Sequence, residues 1–531
     1  MKNIMRYLLL FLFSISVLGV SAQQDYQSSV EKIKEFMFKL NKYYVDSVDN
    51  QKVTEDAIKG ILENLDPHSI YIPSDELKAM NEPLKGNFEG VGIQFNILKD
   101  TIFVITPISG GPSEKVGLRA GDRIVKVDGE IVAGIEITNR DVQKYLKGPK
   151  GTKVIVGVKR EGEKEILDFE ITRDKIPIYS VDAWYMATPK TGYIKLNRFA
   201  ATTKEELQVA FNDLKGQGMK NLILDLKGNG GGYLRTAIQL ADEFLTEDKL
   251  VVFTEGRNYP KDETFSTKEG NFEEGKLAIL IDEGSASASE IVSGAVQDWD
   301  RGLIIGRRSF GKGLVQKPLS LGDGSAIRLT TQKYYTPSGR CIQKPYEEGS
   351  EAYRNERLDR FEKGELTSLD SIDFPDSLKF LTRNNRIVYG GGGILPDIFV
   401  PLDTNNTSEY YSIALRKGLM NTFSLTYADR NREMFMTKYK TDDNFIKNFD
   451  IRTIMPEFIE FCKVEGVEYV EEDYRKSEIF FKTRIKALIA RSLWGRSSFY
   501  KIINPIIPAY NKAMEVMKDD TFRRLNLAQS E

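Results

Sequence analysis

Residues 281–294, IDEGSASASEIVSG, set Ser285, Ser287 and Ser289 in alternation directly before Glu290. A strand-like run, LAILID, precedes them, Gly284 permits a tight turn, and a helix-like run follows. A helix start has unsatisfied N–H groups and the positive end of the helix dipole. That is a place to hold the oxyanion of an acyl-transfer intermediate, with a serine as nucleophile. A serine needs a base, and the chain has one histidine, His68, far upstream in LDPHSIY. Lys312 is the other candidate, set between glycines in FGKGLVQ, 25 residues after Ser287. An exposed lysine keeps its proton to about pH 10.4. Burial among apolar groups lowers that value and makes it a general base, and serine–lysine pairs are a variant of the serine–base theme. In DLKGNGGGY, residues 225–233, Gly230, Gly231 and Gly232 end a strand and open a helix, where backbone N–H groups approach a ligand closely.

Each feature also has a plainer reading. Ser287 and Glu290 have the spacing of a capping box. The turn is not the G-x-S-x-G elbow of α/β-hydrolases. A Gly-rich strand–helix turn also serves nucleotides, and a lysine between glycines can be a solvated turn residue. A P-loop fails, because GKG lacks the following Ser/Thr and the upstream glycine spacing.

The surrounding pattern supplies elements to position these residues. Over 175–340 strands and helices alternate: TGYIKLNRF, the helix TKEELQVAFNDLKGQ with Thr202 or Thr203 as N-cap, the apolar strand NLILDL, the helix YLRTAIQLADEFL, then KLAILID and the serine turn. That order argues an α/β layered domain with a sheet covered on both faces. Residues 84–174 are β-rich, with GVGIQF, TIFVITPI, RIVKVDGEIV and KVIVGVKR as strands and a helix near TNRDVQKYL. Residues 25–83 read as helical, with Val30, Ile33, Met37, Leu40 and Tyr44 as a packing stripe for this domain or for a second copy. Residues 341–389 read as a charged, irregular surface insertion. Residues 405–531 read as a helical packing region with Ile485, Leu488, Ile489 and Leu493 on one stripe.

LKGNGGGYL, DEGSASASEIVSGAVQD, FGKGLVQ, YYTPSGRCIQ and GGGILPD occur in this order, after LDPHSIYI near the N-terminus. Together they resemble the C-terminal processing peptidases, or tail-specific proteases, over roughly residues 25–403. GGPSEKVGLRAGDRIVKVDGEIV, residues 110–132, resembles the signature of a PDZ domain.

The resemblance implies an α/β fold: a crotonase-like protease core over 175–403, an inserted PDZ domain over 84–174, and helical N- and C-terminal regions. It makes Ser287 the nucleophile and Lys312 the base. Gln316 or Asp298 then supports the lysine, and Ala288 with Gly231 or Gly232 forms the oxyanion hole. In EGVGIQF, Gly90, Val91, Gly92 and Ile93 would receive a substrate's C-terminal carboxylate, the peptide adding as an edge strand. Arg160 is the candidate for gating the active site from the PDZ domain. The expected activity is serine endoproteolysis of proteins with accessible C-termini, without cofactor or metal. An adaptor protein and a homo-oligomer remain open. The same core without catalysis would be a peptide-binding scaffold, which intact Ser287 and Lys312 argue against. A crotonase-like acyl-CoA enzyme is disfavoured by the PDZ-like module.

Residues 1–22 have the form of a secretory signal, with Lys2 and Arg6 before an apolar run and small residues ending at Ala22. This predicts a periplasmic or otherwise exported protein, the alternative being an inner-membrane anchor. A formal charge of −2 without a long basic tract gives no sign of a nucleic-acid partner. Two cysteines, Cys341 and Cys462, are too few for a disulfide framework or a cysteine metal site, though one bond between them is open.

Overall fold

The computed structural model describes residues 25–527 except 109, 161, 268, 269 and 405, so the signal-like segment lies outside the described residues. No helix among the described residues is long and apolar enough to cross a membrane. The chain divides into two compact units that part between Tyr71 and Ile72.

In the first unit a helix over 25–43 leaves Ile33 and Tyr44 of the expected stripe exposed, with Val30, Met37 and Leu40 half-buried. Helix Asn50–Glu63 follows, its N-terminus capped by the Asp49 side chain. In LDPHSIY the Asp66 carboxylate accepts from the backbone N–H groups of His68 and Ser69 and from Ser69 Oγ, which folds the motif into a turn. The helical reading of 25–83 crosses the unit boundary. Helix Ser74–Lys85 belongs to the second unit, where Leu77, Asn81 and Leu84 wall the main cleft.

The core of the second unit is a six-stranded sheet in the order Val181–Thr188, Thr191–Leu196, Asn221–Asp225, Leu277–Ile281, Leu303–Gly306, Ile398–Phe399. The first pair is antiparallel and the rest are parallel. Side chains alternate across it as the strand period requires. Ile194, Leu222, Leu224, Ile279 and Ile304 pack under helices Thr203–Gly216, Leu234–Asp242 and Ala288–Asp298. Tyr193, Ile223, Ala278, Leu280, Leu303 and Ile305 face the other way, onto Ala509, Tyr510, Ala513 and Val516 of helix Pro508–Val516. Both faces are therefore dry, as a parallel sheet needs.

That second layer corrects the reading of 405–531 as one packing region. Its earlier part builds its own aromatic core around Phe423, Phe435, Phe458, Phe481 and Ile485, with the 24-residue helix Glu471–Trp494 at its centre. Its last part belongs to the core of the six-stranded sheet. Cys462 lies buried in the aromatic core, and Cys462 and Cys341 are both free thiols.

Residues 341–389 likewise hold more order than expected. They contain helix Ser350–Glu362, with Tyr353 and Arg360 buried, and the hairpin Lys379–Leu381/Ile387–Tyr389. Charge misled the sequence reading here, because Arg360 is spent on internal contacts.

The β-rich module has the sheet order Ile93–Ile97, Ile102–Pro107, Arg123–Val127, Lys153–Lys159, Leu167–Thr172. Helix Asn139–Leu146 starts with a full capping box between Thr138 and Asp141. Strand Ile93–Ile97 is an edge of this sheet. The chain enters and leaves the module through a two-stranded ribbon, Asn87–Gly90 against Asp174–Pro177. Ile178 N–H to Gly86 O, 2.8 Å, adds one more rung to the ribbon, and Ala201 N–H to Leu84 O, also 2.8 Å, ties helix Ser74–Lys85, which leads into it, to the core.

Candidate active site

Ser287 ends the turn after strand Leu277–Ile281 and starts helix Ala288–Asp298, with φ 55° and ψ −111°. A non-glycine residue there stores strain of about 1–3 kcal/mol, which the surroundings must hold in place. The flanking serines hold it. Ser285 Oγ donates to Leu226 O at 2.9 Å, and Ser289 Oγ to Asn229 O at 2.8 Å. Both are fully buried, whereas Ser287 lines a cleft of about 960 Å³.

Lys312 lines the same cleft, and its Nζ donates to Gln316 Oε1 at 2.9 Å. A β-bulge between Val315 and Gln316 shifts the register of strand Leu314–Ser320 at this glutamine. Gln316 Nε2 is buried with no hydrogen-bond partner among the described residues.

Glu290 does more than the capping-box spacing suggested. Its Oε2 accepts from the N–H of Ser287 at 2.7 Å and of Lys312 at 2.9 Å. Its Oε1 accepts from Gly311 N–H at 2.7 Å and Ser309 Oγ at 2.5 Å. Burial pushes this carboxyl's pKa above its ordinary value, against four donors that each favour the carboxylate. Tyr334 makes a second bridge, its hydroxyl donating to Ser287 O at 3.1 Å and also to Lys312 O. Burial holds that phenol far above its usual pKa, so it stays a donor. The serine and lysine backbones are thus fastened to each other twice.

The loop before Lys312 is held from outside as well. Arg360 donates to Ser309 O at 2.7 Å and Phe310 O at 3.2 Å, and Lys344 N–H donates to Gly311 O. The Lys344 ammonium lies over the rings of Phe310 and Tyr353 and pairs with Glu356 at 2.8 Å. Glu290, Tyr334 and Arg360 were not identified as site residues from sequence. Only the Ser287–Glu290 spacing gave a signal, and it pointed to a cap.

The Gly-rich turn rests on a buried ionic group. Asp225 accepts from Tyr193 Oη at 2.8 Å, Lys195 Nζ at 3.1 Å and Lys227 N–H at 2.9 Å. Burial alone would raise the Asp225 pKa, but the Lys195 and Lys227 ammonium groups hold it below the usual carboxylate value. Gly231, at φ 99°, lies against the serine turn. A Cβ there would come within 2.8 Å of Ala286 O and 2.9 Å of Ser287 Cβ. Its N–H donates to Asn229 Oδ1 at 2.9 Å, so of the two glycines proposed for the oxyanion hole this one is already engaged. Gly232 and Ala288 also line the cleft.

Asp298 lies at the far end of the serine helix, where its carboxylate accepts from Arg340 at 2.7 Å and from Ser338 N–H at 2.9 Å. The structure brings Gln316, and not Asp298, to the lysine amine. Arg160 is bound within its own domain, to Asp122 at 2.8 and 2.9 Å and to Gly117 O at 2.9 Å. In the carboxylate-loop candidate, Gly90 pairs with Asp174, Gly92 has φ 77°, and Ile93 begins the edge strand. Val91 O accepts from both the N–H and Oγ of Ser113, fixing the loop to the start of helix Pro112–Lys115.

Residues 190–349 match the family model of peptidase family S41, and residues 103–160 match that of the PDZ domain. Residues 410–495 match a family of unknown function, DUF8443. The carboxy-terminal-processing protease of Bartonella bacilliformis is 39% identical over 326 residues, 60% of this chain and 74% of that protein. The carboxy-terminal processing protease CtpB of Bacillus subtilis is 32% identical over 414 residues, 77% of this chain and 82% of that protein. Among solved structures, the photosystem II D1 C-terminal processing protease is 32% identical, with 57% of this chain and 83% of that one covered and a TM-score of 0.34.

Proposed function

Since the chain belongs to peptidase family S41, as a carboxy-terminal processing serine protease with a PDZ domain, we propose that it cuts exported proteins with a Ser287–Lys312 dyad. The observation that carries this reading is the double fastening of Ser287 to Lys312, by Glu290 and by Tyr334, at one cleft.

Ser287 Oγ attacks the scissile carbonyl while the neutral Lys312 amine takes its proton. Gln316 Oε1 accepts from the resulting ammonium and keeps it aimed at the reacting atoms. The oxyanion lies against the N–H groups of Ala288 and Gly232. The C–N bond breaks as Lys312 returns the proton to the leaving amine. Lys312 then deprotonates a water that attacks the acyl carbon, and passes that proton to Ser287 Oγ as the ester bond breaks. The substrate tail pairs with edge strand Ile93–Ile97, its carboxylate at Gly90–Ile93. The signal-like segment supports export to the periplasm.

The test compares the parent chain with Ser287→Ala and Lys312→Ala on an unfolded protein with an apolar C-terminus. Both variants are expected to lose cleavage by about a thousandfold or more. Equal cutting by Ser287→Ala would remove the dyad. Parent activity is expected to rise with pH as Lys312 loses its proton, and a profile unchanged in Lys312→Ala would remove the lysine as base. Amidating the substrate C-terminus is expected to raise KM, and undiminished cleavage would remove carboxylate capture.

A further inference from the structure

The cleft is electrically one-sided. Besides Lys312, which must be neutral to act, its lining carries Lys204, Arg235, Lys317 and Arg328 against the single carboxylate of Glu205. Lys317 lies over the Tyr259 ring, 4.0 Å from its centroid. Arg328 has no carboxylate partner among the described residues, although burial alone already lowers its pKa. Arg307 pairs with Glu283, Arg308 with Glu365 and Arg386 with Asp300, and buried Arg301 is satisfied by the carbonyls of Phe244, Phe272 and Gly275. A guanidinium presents five donors in a planar fork suited to a carboxylate. Partial burial without an internal acid therefore leaves Arg328 poised for an anion from outside.

Its register says where that anion lies. Arg328 faces Pro318 across strands Leu314–Ser320 and Ala326–Tyr335, two residues along from the Gln316–Thr330 pair. Two strand residues are about 7 Å, which is also about two residues of an extended substrate. Gln316 holds the Lys312 amine, so that distance is counted from the reacting atoms.

We propose that Arg328 is a carboxylate-binding subsite of the cleft, selecting substrates that place a carboxylate about two residues from the scissile bond. This rests on the cleft being the peptidase site. Arg235 and Lys204 add attraction for the same sign of charge. The carboxylate is either an acidic side chain or the chain terminus.

The experiment uses the full chain and fluorogenic peptide amides identical except for Glu or Gln at one position. That position is scanned three residues to each side of the cut. A second arm ends the peptide in a free carboxylate two residues after the cut. Glu, or the free terminus, is expected to be preferred by about tenfold or more in kcat/KM at one position. That ratio is expected to fall to about one in Arg328→Gln and to persist in Arg328→Lys. Preference in the scanned arm assigns the carboxylate to an acidic residue, and preference in the second arm alone assigns it to the chain end. Either supports the subsite. Equal rates in both arms, or a preference that survives Arg328→Gln, would overturn it. Should the parent chain cut none of the peptides, the peptidase reading fails by itself. Fluorescence anisotropy with Ser287→Ala then decides the subsite, and equal Kd for the Glu and Gln peptides would overturn it.

Discussion

Glu290 spends both carboxylate oxygens on four donors, two of them the backbone N–H groups of Ser287 and Lys312. An amide of the same shape would turn an NH2 group toward N–H donors in a fully buried site. Glu290→Gln is therefore expected to cost about 2–3 kcal/mol of stability in denaturant unfolding. It is expected to lower kcat about a hundredfold, with KM little changed, because the proposed dyad loses alignment rather than contact with substrate. Unaltered kcat would show that Tyr334 suffices to hold the pair. At this scale much was legible. Three serines, a lysine between glycines and a Gly-rich turn are local signals, and the resemblance carried by their order along the chain chose among their readings. The structure brings Ser287, Lys312 and Gly230–Gly232 to one cleft. The Glu290 contacts to Ser309, Gly311 and Lys312 were not legible, because they span about twenty residues and close only when the sheet brings two turns together.

Helix Ser350–Glu362 shows why an element can be missed when its residues are read as surface. Its charges look like a solvated face, yet Arg360 caps two carbonyls of the loop that carries Lys312, and Tyr353 meets Phe310 edge to face with centroids 5.8 Å apart. Arg360→Ala leaves those carbonyls and Glu356 without their guanidinium. Faster hydrogen exchange over 309–313 is expected, with cleavage reduced about tenfold to a hundredfold. Unchanged exchange in that loop would assign the helix a purely architectural role. By contrast, the strands over 191–196, 221–225 and 277–281 and the helices over 203–216, 234–242 and 288–298 were readable, since short apolar runs and helical spacing repeat locally, whereas the two outermost strands over 181–188 and 398–399 were not read.

Across the whole molecule, the helices over 504–524 close the core. Helix Pro508–Val516 covers Tyr193, Ile223 and Leu280, and Asn504 donates to the Tyr185 hydroxyl at 2.9 Å. No local pattern reveals that residues more than 200 and up to about 320 positions downstream form the second layer of the sheet. Ending the chain after Ile503 is expected to leave the aromatic helical core its own contacts while exposing that face, and to give insoluble or unfolded protein by circular dichroism and gel filtration. A soluble, active truncation would mean that the sheet tolerates an open face.

The ribbon that carries the PDZ domain has a consequence for exchange of parts. Gly90 and Asp174 face each other across its last rung, so the polypeptide leaves the peptidase body and returns at the same point. The PDZ domain is thus mounted on a plug rather than threaded through the peptidase body. Replacing residues 91–173 by a tight hairpin turn is expected to leave Tm of the core within a few degrees and to abolish only the effect of substrate amidation. Seating another tail-reading domain on the same rung would give the same blade a new address.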